Sequence, residues 1–271
     1  SFEVLDKDKS KNNELYNYCD ITDYNSINKG LKGSKVVVFL AAEHRDNVLP
    51  TSLYYEVNVA GAHNVVRALK NNKINRIIYT STAGVYGLNQ SFPREDDELF
   101  PFNDYSKSKL DAEKVLIEWW SEDKDNRELI ILRPTVVFGE NNRGNVYNLI
   151  NQITKKRFIM VGNGQNKKSM AYVGNVVAFI KFLLENPSKG MSIYNYADSP
   201  DLNMNELVEF IQNELGTVKK ELRIPQWLGL AIGYLFDFIS LLINKNFSVS
   251  AVRINKFCAN TTFDTQKLLL L

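Results

Sequence analysis

Tyr105 and Lys109 stand four residues apart in "NDYSKSKLDAEK", residues 103 to 114. On a helix that spacing puts both side chains on one face, and a neighbouring ammonium favours the phenolate form of a tyrosine. Such a pair can pass a proton to and from an alcohol or sugar hydroxyl while a nicotinamide exchanges the hydride. Alone, a tyrosine and a lysine at this spacing are common on solvated helices. Upstream, "YTSTAGVYG" (79 to 87) sets hydroxyls at the end of an apolar strand and opens into a loop of small residues. Strand-end hydroxyls often do no more than shape a turn. The order carries the meaning: a strand, a hydroxyl cluster, roughly twenty residues of chain, then the tyrosine and lysine at a helix start.

The surrounding elements must present these residues at one edge. Apolar runs rich in β-branched residues, "FEVLD", "KVVVFLAA" (35 to 42), "RIIYTST" (76 to 82) and "ELIILRPTVVFG" (128 to 139), alternate with helix-period segments such as "YEVNVAGAHNVVRALKNN" and the stretch from Asn103 to about Trp120. That alternation predicts an α/β fold, a doubly wound parallel sheet covered on both faces. Ligands of such sheets bind beyond the carboxyl ends of the strands. After Gly139 the pattern loosens into "GNVYNLINQITKK", short strands around a Gly-Asn-Gly turn in "FIMVGNGQNKKSMAYV", the helix "NVVAFIKFLLEN" and the strand "SIYNYAD". The expected division is a dinucleotide-binding domain over 1–139 and 173–200, with a smaller substrate-binding lobe over 140–172 and 201–271.

At the tip of "FEVLD", Asp6 is placed to accept hydrogen bonds from ribose hydroxyls, which disfavours a 2′-phosphate and favours NAD over NADP. Lys7 beside it leaves NADP open. The glycine-rich phosphate loop of a dinucleotide fold occurs nowhere in the 271 residues, so the expectation is that the first βα unit is missing from this sequence.

The 44% hydrophobic and 24% charged residues suit a globular protein with a sizeable core. Its 33 basic and 31 acidic residues are spread along the chain, which argues against nucleic acid as a partner. Cys19 and Cys258 are far apart, and His44 and His63 lack partners at ligand spacing, so no metal is expected. The charged opening "SFEVLDKDKS" is not a cleavable signal, and a cytoplasmic location is expected. "WLGLAIGYLFDFISLLI" (227 to 243) is apolar except for Asp237. It falls short of the ~20 residues of a spanning helix and reads as a packed helix of the second lobe, an interfacial helix touching a membrane, or a span. "HRD" (44 to 46) lacks the other parts of a kinase site, and "VGNGQN" lacks the ending of a phosphate loop.

Taken together, Asp6, "DITD" (20 to 23), "FLAAE" (39 to 43), "NVAGAHNV" (58 to 65), "TSTAGVYG" (80 to 87), "YSKSK" (105 to 109) and "LRPTVVFG" (132 to 139) resemble the extended short-chain dehydrogenase/reductases, within them the NAD-dependent epimerase/dehydratase branch acting on nucleotide sugars. The resemblance implies that Thr82 hydrogen-bonds the reacting sugar oxygen, that Tyr105 is the general acid/base, and that Lys109 holds the nicotinamide ribose. It further implies Asp20 and Ile21 beside adenine, Leu40, Ala41 and Ala42 along the dinucleotide, Asn58 in support, and Pro134 and Val137 by the nicotinamide. Asn145, Lys168 and Arg253 are candidates for the substrate's nucleotide and pyrophosphate. The 4,6-dehydratases of this branch carry an Asp-Glu pair where Ala83 and Gly84 stand here, which speaks against dehydration. Implied are a cytoplasmic homodimer, a UDP-linked hexose or N-acetylhexosamine substrate, and hydride transfer at C4 by either a 4-epimerase or a 4-keto-sugar reductase of polysaccharide biosynthesis. The alternatives of another class are a non-catalytic dinucleotide-binding protein and a membrane-associated scaffold built around 227–243.

Overall fold

A computed structural model describes residues 18–45, 48–216, 221–243 and 249–271. Asp6, Lys7 and the strand expected around them lie outside these residues.

The first described helix, α1 (Tyr24–Gly30), starts where the Asp23 carboxylate accepts from the Asn25 N–H. Strand β1 (Val37–Phe39) follows. The next helical stretch opens with one α turn, Ser52–Tyr54, widens into a π-turn, Tyr55–Ala60, and continues as α2 (Gly61–Asn72), which Lys73 closes in the left-handed conformation at φ 56°. Strand β2 (Arg76–Thr80), a 3₁₀ turn (Ala83–Tyr86), helix α3 (Asp104–Ser121) and strand β3 (Glu128–Pro134) complete the first half. Then come β4 (Val136–Phe138), α4 (Asn145–Thr154), β5 (Ile159–Val161), β6 (Lys167–Tyr172), α5 (Val173–Glu185) and β7 (Gly190–Tyr196). The chain continues through β8 (Asp198–Asn203), α6 (Met204–Glu214), β9 (Leu222–Ile224), α7 (Gln226–Ile243), α8 (Ala251–Cys258) and the short α9 (Gln266–Leu269).

Strands β1, β2, β3 and β7 pair in that order, all parallel. The two-residue period of the strands sends Ile77, Tyr79, Leu129 and Ile131 into one core with α1, α2 and α3, and Ile78, Ile130 and Leu132 into a second core under α5. Every residue of β3 is buried, as a central strand covered on both faces requires. The doubly wound arrangement therefore follows from continuous apolar strands between amphipathic helices.

One expectation is corrected in detail. The run 128 to 139 is not one strand: after Pro134 the Thr135 N–H donates to Tyr196 O, and β4 leaves the main sheet to pair with β6, which also pairs with β8. The short strands expected around "GNGQN" are present as β5 and β6, and β5 pairs with β9. A further core of Ile153, Met160, Met204, Leu207, Val208 and Ile211 is separate from the main sheet's two cores. Among the described residues no helix is long and apolar enough to cross a membrane.

Candidate active site

The Asn103 side chain accepts from the Ser106 N–H at 2.9 Å and starts α3. Tyr105 therefore falls in the first turn, and Lys109 one turn deeper, buried to 2% exposure. The Lys109 ammonium donates to Thr80 O at 2.7 Å and lies 4.3 Å from the centre of the Tyr79 ring. Burial pulls its pKa from 10.5 down to about 7, with Glu113 acting against the fall. An unfolded chain then binds a proton that the folded chain releases between about pH 7 and 10.5. This group's contribution to stability is thus complete above 10.5 and is lost as pH falls to about 7, below which both states are charged. In denaturant titrations across this window, Lys109→Met is expected to remove part of the rise in stability that the unmodified protein shows; parallel curves would contradict the low pKa.

Thr82 is extended at φ −156° and ψ 143°, and its Oγ1 accepts from the Gly84 N–H at 3.1 Å, capping the 3₁₀ turn. A Cβ at position 84 would stand 2.7 Å from Ser106 Oγ and 3.3 Å from Thr82 Oγ1. The hydroxyl, the turn and the start of α3 thus share one corner, and any side chain at position 84 has to displace the Ser106 hydroxyl. Ser81 follows directly on β2, and its Oγ is buried without a hydrogen-bond partner. It adds a hydroxyl to this corner that "TST" displayed without marking it out from its neighbours.

Behind the corner lies a built support. Asn58, 1% exposed inside the π-turn, donates to Glu43 O and Ser108 Oγ and accepts from the Glu43 N–H. Ser108 Oγ in turn donates to Tyr105 O. One amide side chain thus ties the loop after β1 to the helix turn carrying Tyr105, and single π-turns inside helices often serve such sites. Tyr55 OH also donates to Asp104 at 3.0 Å. One turn beyond Lys109, the Glu113 carboxylate takes two bonds from Arg133, at 3.1 and 2.7 Å; Arg133 also donates to Tyr86 OH, which donates to Asn195. Burial and that carboxylate oppose each other at Arg133, whose pKa ends raised.

The remaining candidates separate. Leu40, Ala41 and Ala42 follow β1 at the carboxyl edge of the sheet, Leu40 exposed and Ala42 buried. Pro134 ends β3, and Val137 pairs with Ala171 in β4. Asp20 accepts from Thr22 at both its N–H and hydroxyl, and the Ile21 side chain lies in the core against Gly61. Lys168 donates to Lys256 O and Ala259 O at the end of α8, and burial lowers its pKa to about 8. Asn145 is the exposed first residue of α4, and Arg253 sits half-buried on α8. Lys256 of that helix lies 5.9 Å from the Phe102 ring, so α8 is brought beside the start of α3. His44 is exposed, with desolvation of the ring still lowering its pKa, and Arg45 pairs with Glu43 at 2.7 Å.

A hydroxyl-bearing dinucleotide fits these groups. Lys109 uses one of its three protons on Thr80 O, and the Ser81 hydroxyl is buried without a partner, both at the carboxyl ends of parallel strands.

A model of the 3-beta hydroxysteroid dehydrogenase/isomerase family matches residues 1–226. The chain is 48% identical over 270 residues to the N-acetyl-alpha-D-glucosaminyl-diphospho-ditrans,octacis-undecaprenol 4-epimerase of Escherichia coli O157:H7, covering 98% of this chain and 82% of that protein. It is 29% identical to the UDP-glucose 4-epimerase of Vibrio cholerae over 82% of this chain and 70% of the relative. The fold is similar to that of the UDP-glucuronic acid 4-epimerase of Bacillus cereus solved with NAD, with a TM-score of 0.68 and 20% identity over 75% of this chain and 67% of the other.

Proposed function

The chain belongs to the 3-beta hydroxysteroid dehydrogenase/isomerase family, within the extended short-chain dehydrogenase/reductases, and from this membership we propose that it is an NAD-dependent epimerase inverting C4 of a diphosphate-linked N-acetylhexosamine. The single observation that carries the reading is the corner formed by Thr82, Tyr105 and Lys109, in a chain 48% identical to a 4-epimerase. The preferred substrate is N-acetylglucosaminyl-diphospho-undecaprenol, following that relative. UDP-sugars are the second reading, supported by the 29% relative.

The chemistry a bound NAD would supply is acceptance of the C4 hydride and its return to the other face. Tyr105 Oη takes the proton from the C4 hydroxyl as the carbonyl forms and gives it back as the carbonyl is reduced. Thr82 Oγ1 hydrogen-bonds the same oxygen and fixes its direction. Lys109, on the same helix face, would hold the ribose hydroxyls of that cofactor, and in its protonated form it offsets the charge developing on the Tyr105 oxygen. Asp20, Leu40, Ala41, Ala42, Pro134 and Val137 are assigned to the cofactor, with Asn58 as the positioning residue behind it. Asn145, Lys168 and Arg253 are assigned to the diphosphate end. Lys168 would serve there through the proton it does not spend on α8. No acid stands at 83 or 84 to expel a C6 hydroxyl, so the sugar is epimerised rather than dehydrated. The proposal includes a cytoplasmic homodimer in peripheral contact with a membrane through 227–243, and a lipid-linked substrate supports the membrane part of it.

Incubating the full-length protein with NAD and either the lipid-linked sugar or UDP-N-acetylglucosamine tests the reading. Appearance of the C4 epimer without net NADH use is expected. Stoichiometric NADH oxidation with a 4-keto sugar would identify a reductase instead, and no change at C4 in any mixture would sink both. Inversion of the UDP-sugar alone would reject the lipid-linked substrate. In the same assay Thr82→Val is expected to lower turnover by about tenfold, the scale of one hydrogen bond of ~1–1.5 kcal/mol to the reacting oxygen. A loss as great as that of Tyr105→Phe would move the proton transfer to Thr82.

A further inference from the structure

Helix α7 has two unlike sides. Gly229, Gly233 and Asp237, spaced by four, share one of them. A Cβ at Gly229 would lie 2.6 Å from the Val161 side chain and one at Gly233 2.7 Å from the Ala251 N, so this side is pressed against β5 and α8. The helix's one charge is on the same side: Asp237 accepts from the Ala251 N–H at 3.0 Å, at the N-terminus of α8. The opposite side carries Trp227, Tyr234, Leu235, Phe238 and Leu242, which fall within one arc of the helix and are 56–70% exposed. An uncharged stripe of this size on one helix face is beyond the scattered apolar residues of an ordinary surface.

Charge decides what covers it. From residue 219 to residue 256, the stretch that contains α7, the sequence has six basic residues, Lys219, Lys220, Arg223, Lys245, Arg253 and Lys256, against two acids, while the rest of the chain is slightly acidic; Lys219, Lys220 and Lys245 lie outside the described residues. Both acids are engaged, Asp237 with α8 and Glu221 with Arg223. An apolar helix face rich in aromatic residues, with basic residues before and after it, suits the boundary between anionic headgroups and acyl chains. Trp227 and Tyr234 have the amphipathic rings that settle there.

The geometry points to an anionic lipid bilayer as the occupant: α7 lies in the plane of the membrane with Trp227, Tyr234, Leu235, Phe238 and Leu242 turned into it. This deepens the membrane contact of the proposed function by naming the face and the lipid charge, and its entry of substrate from the bilayer rests on that reading. The docking itself does not depend on the sugar chemistry.

The test is sedimentation of the full-length protein with vesicles of phosphatidylethanolamine containing phosphatidylglycerol, beside vesicles of phosphatidylcholine alone. Binding to the anionic vesicles is expected, weakened by salt, and reduced about tenfold or more in Tyr234→Ser/Phe238→Ser, whose two side chains are exposed and whose thermal melt should be unchanged. The Trp227 emission should move to the blue on binding, and the movement should vanish in Trp227→Phe. Vesicle binding that is absent, or equal in the double variant, overturns the proposal. So does a dimer that the double variant dissolves with no lipid binding, which would assign the stripe to a second copy. C4 inversion of a short-chain, water-soluble diphosphate sugar, measured in parallel, is expected to be the same in both proteins, so loss of docking and loss of the epimerase reading are told apart.

Discussion

Tyr105→Phe is expected to lower C4 inversion by about two to four orders of magnitude, the range associated with one positioned acid/base. The change removes one oxygen from a half-buried ring in the first turn of α3. The main-chain anchor of that turn is untouched, because Ser108 Oγ donates to Tyr105 O and not to the side chain. The helix cap is equally independent, since Asn103 accepts from Ser106. Turnover should therefore fall while the melting temperature and NAD binding, measured by quenching of protein fluorescence, hold. Epimerisation at the original rate in Tyr105→Phe would refute the mechanism. A loss matched by weaker NAD binding would mean that the tyrosine serves the cofactor and the proton travels elsewhere.

The pair was visible in the sequence because bringing these residues to one strand edge requires an order along the chain: strand, hydroxyls, loop, helix start. The corner around Gly84 was visible only as an absence, the missing acid; its closeness to Ser106 depends on how the 3₁₀ turn folds back, which no local pattern encodes. Asn58 was legible as support, yet the π-turn that aims it at Glu43 and Ser108 has no residue signature of its own. The break after Pro134 was hidden for a related reason. "ELIILRPTVVFG" is apolar throughout, and only the pairing of Thr135 with Tyr196 shows where one sheet stops and another starts. In α7 the apolar run concealed which side faces out, although the four-residue spacing of Gly229, Gly233 and Asp237 marks the packed side once it is sought. Asp6, on which the choice of NAD over NADP rested, lies outside the described residues.

Glu113→Ala is the substitution expected to cost most stability, about 3–5 kcal/mol, because it strands a buried guanidinium. Arg133 and Glu113 are 3% and 1% exposed at the side chain, and their paired bonds join α3 to the last turn of β3 before Pro134. Without the carboxylate, Arg133 keeps Tyr86 OH and Glu95 O, neutral acceptors that do not balance its charge in a dry site. The double change Glu113→Leu/Arg133→Met removes the charge as well as its partner, and Tyr86 OH still has Asn195 to donate to. Most of the lost stability should then return in urea titrations. What should not return is full turnover, because Glu113 lies one turn from Lys109 and its charge opposes the fall in the Lys109 pKa. In the double variant the Lys109 pKa is expected to fall further below 7, and the pH dependence of kcat should move in the acid direction with it. If the double variant is as unstable as Glu113→Ala, the ion pair is not what holds α3 to the sheet; if its pH profile is unmoved, Glu113 acts on the fold alone.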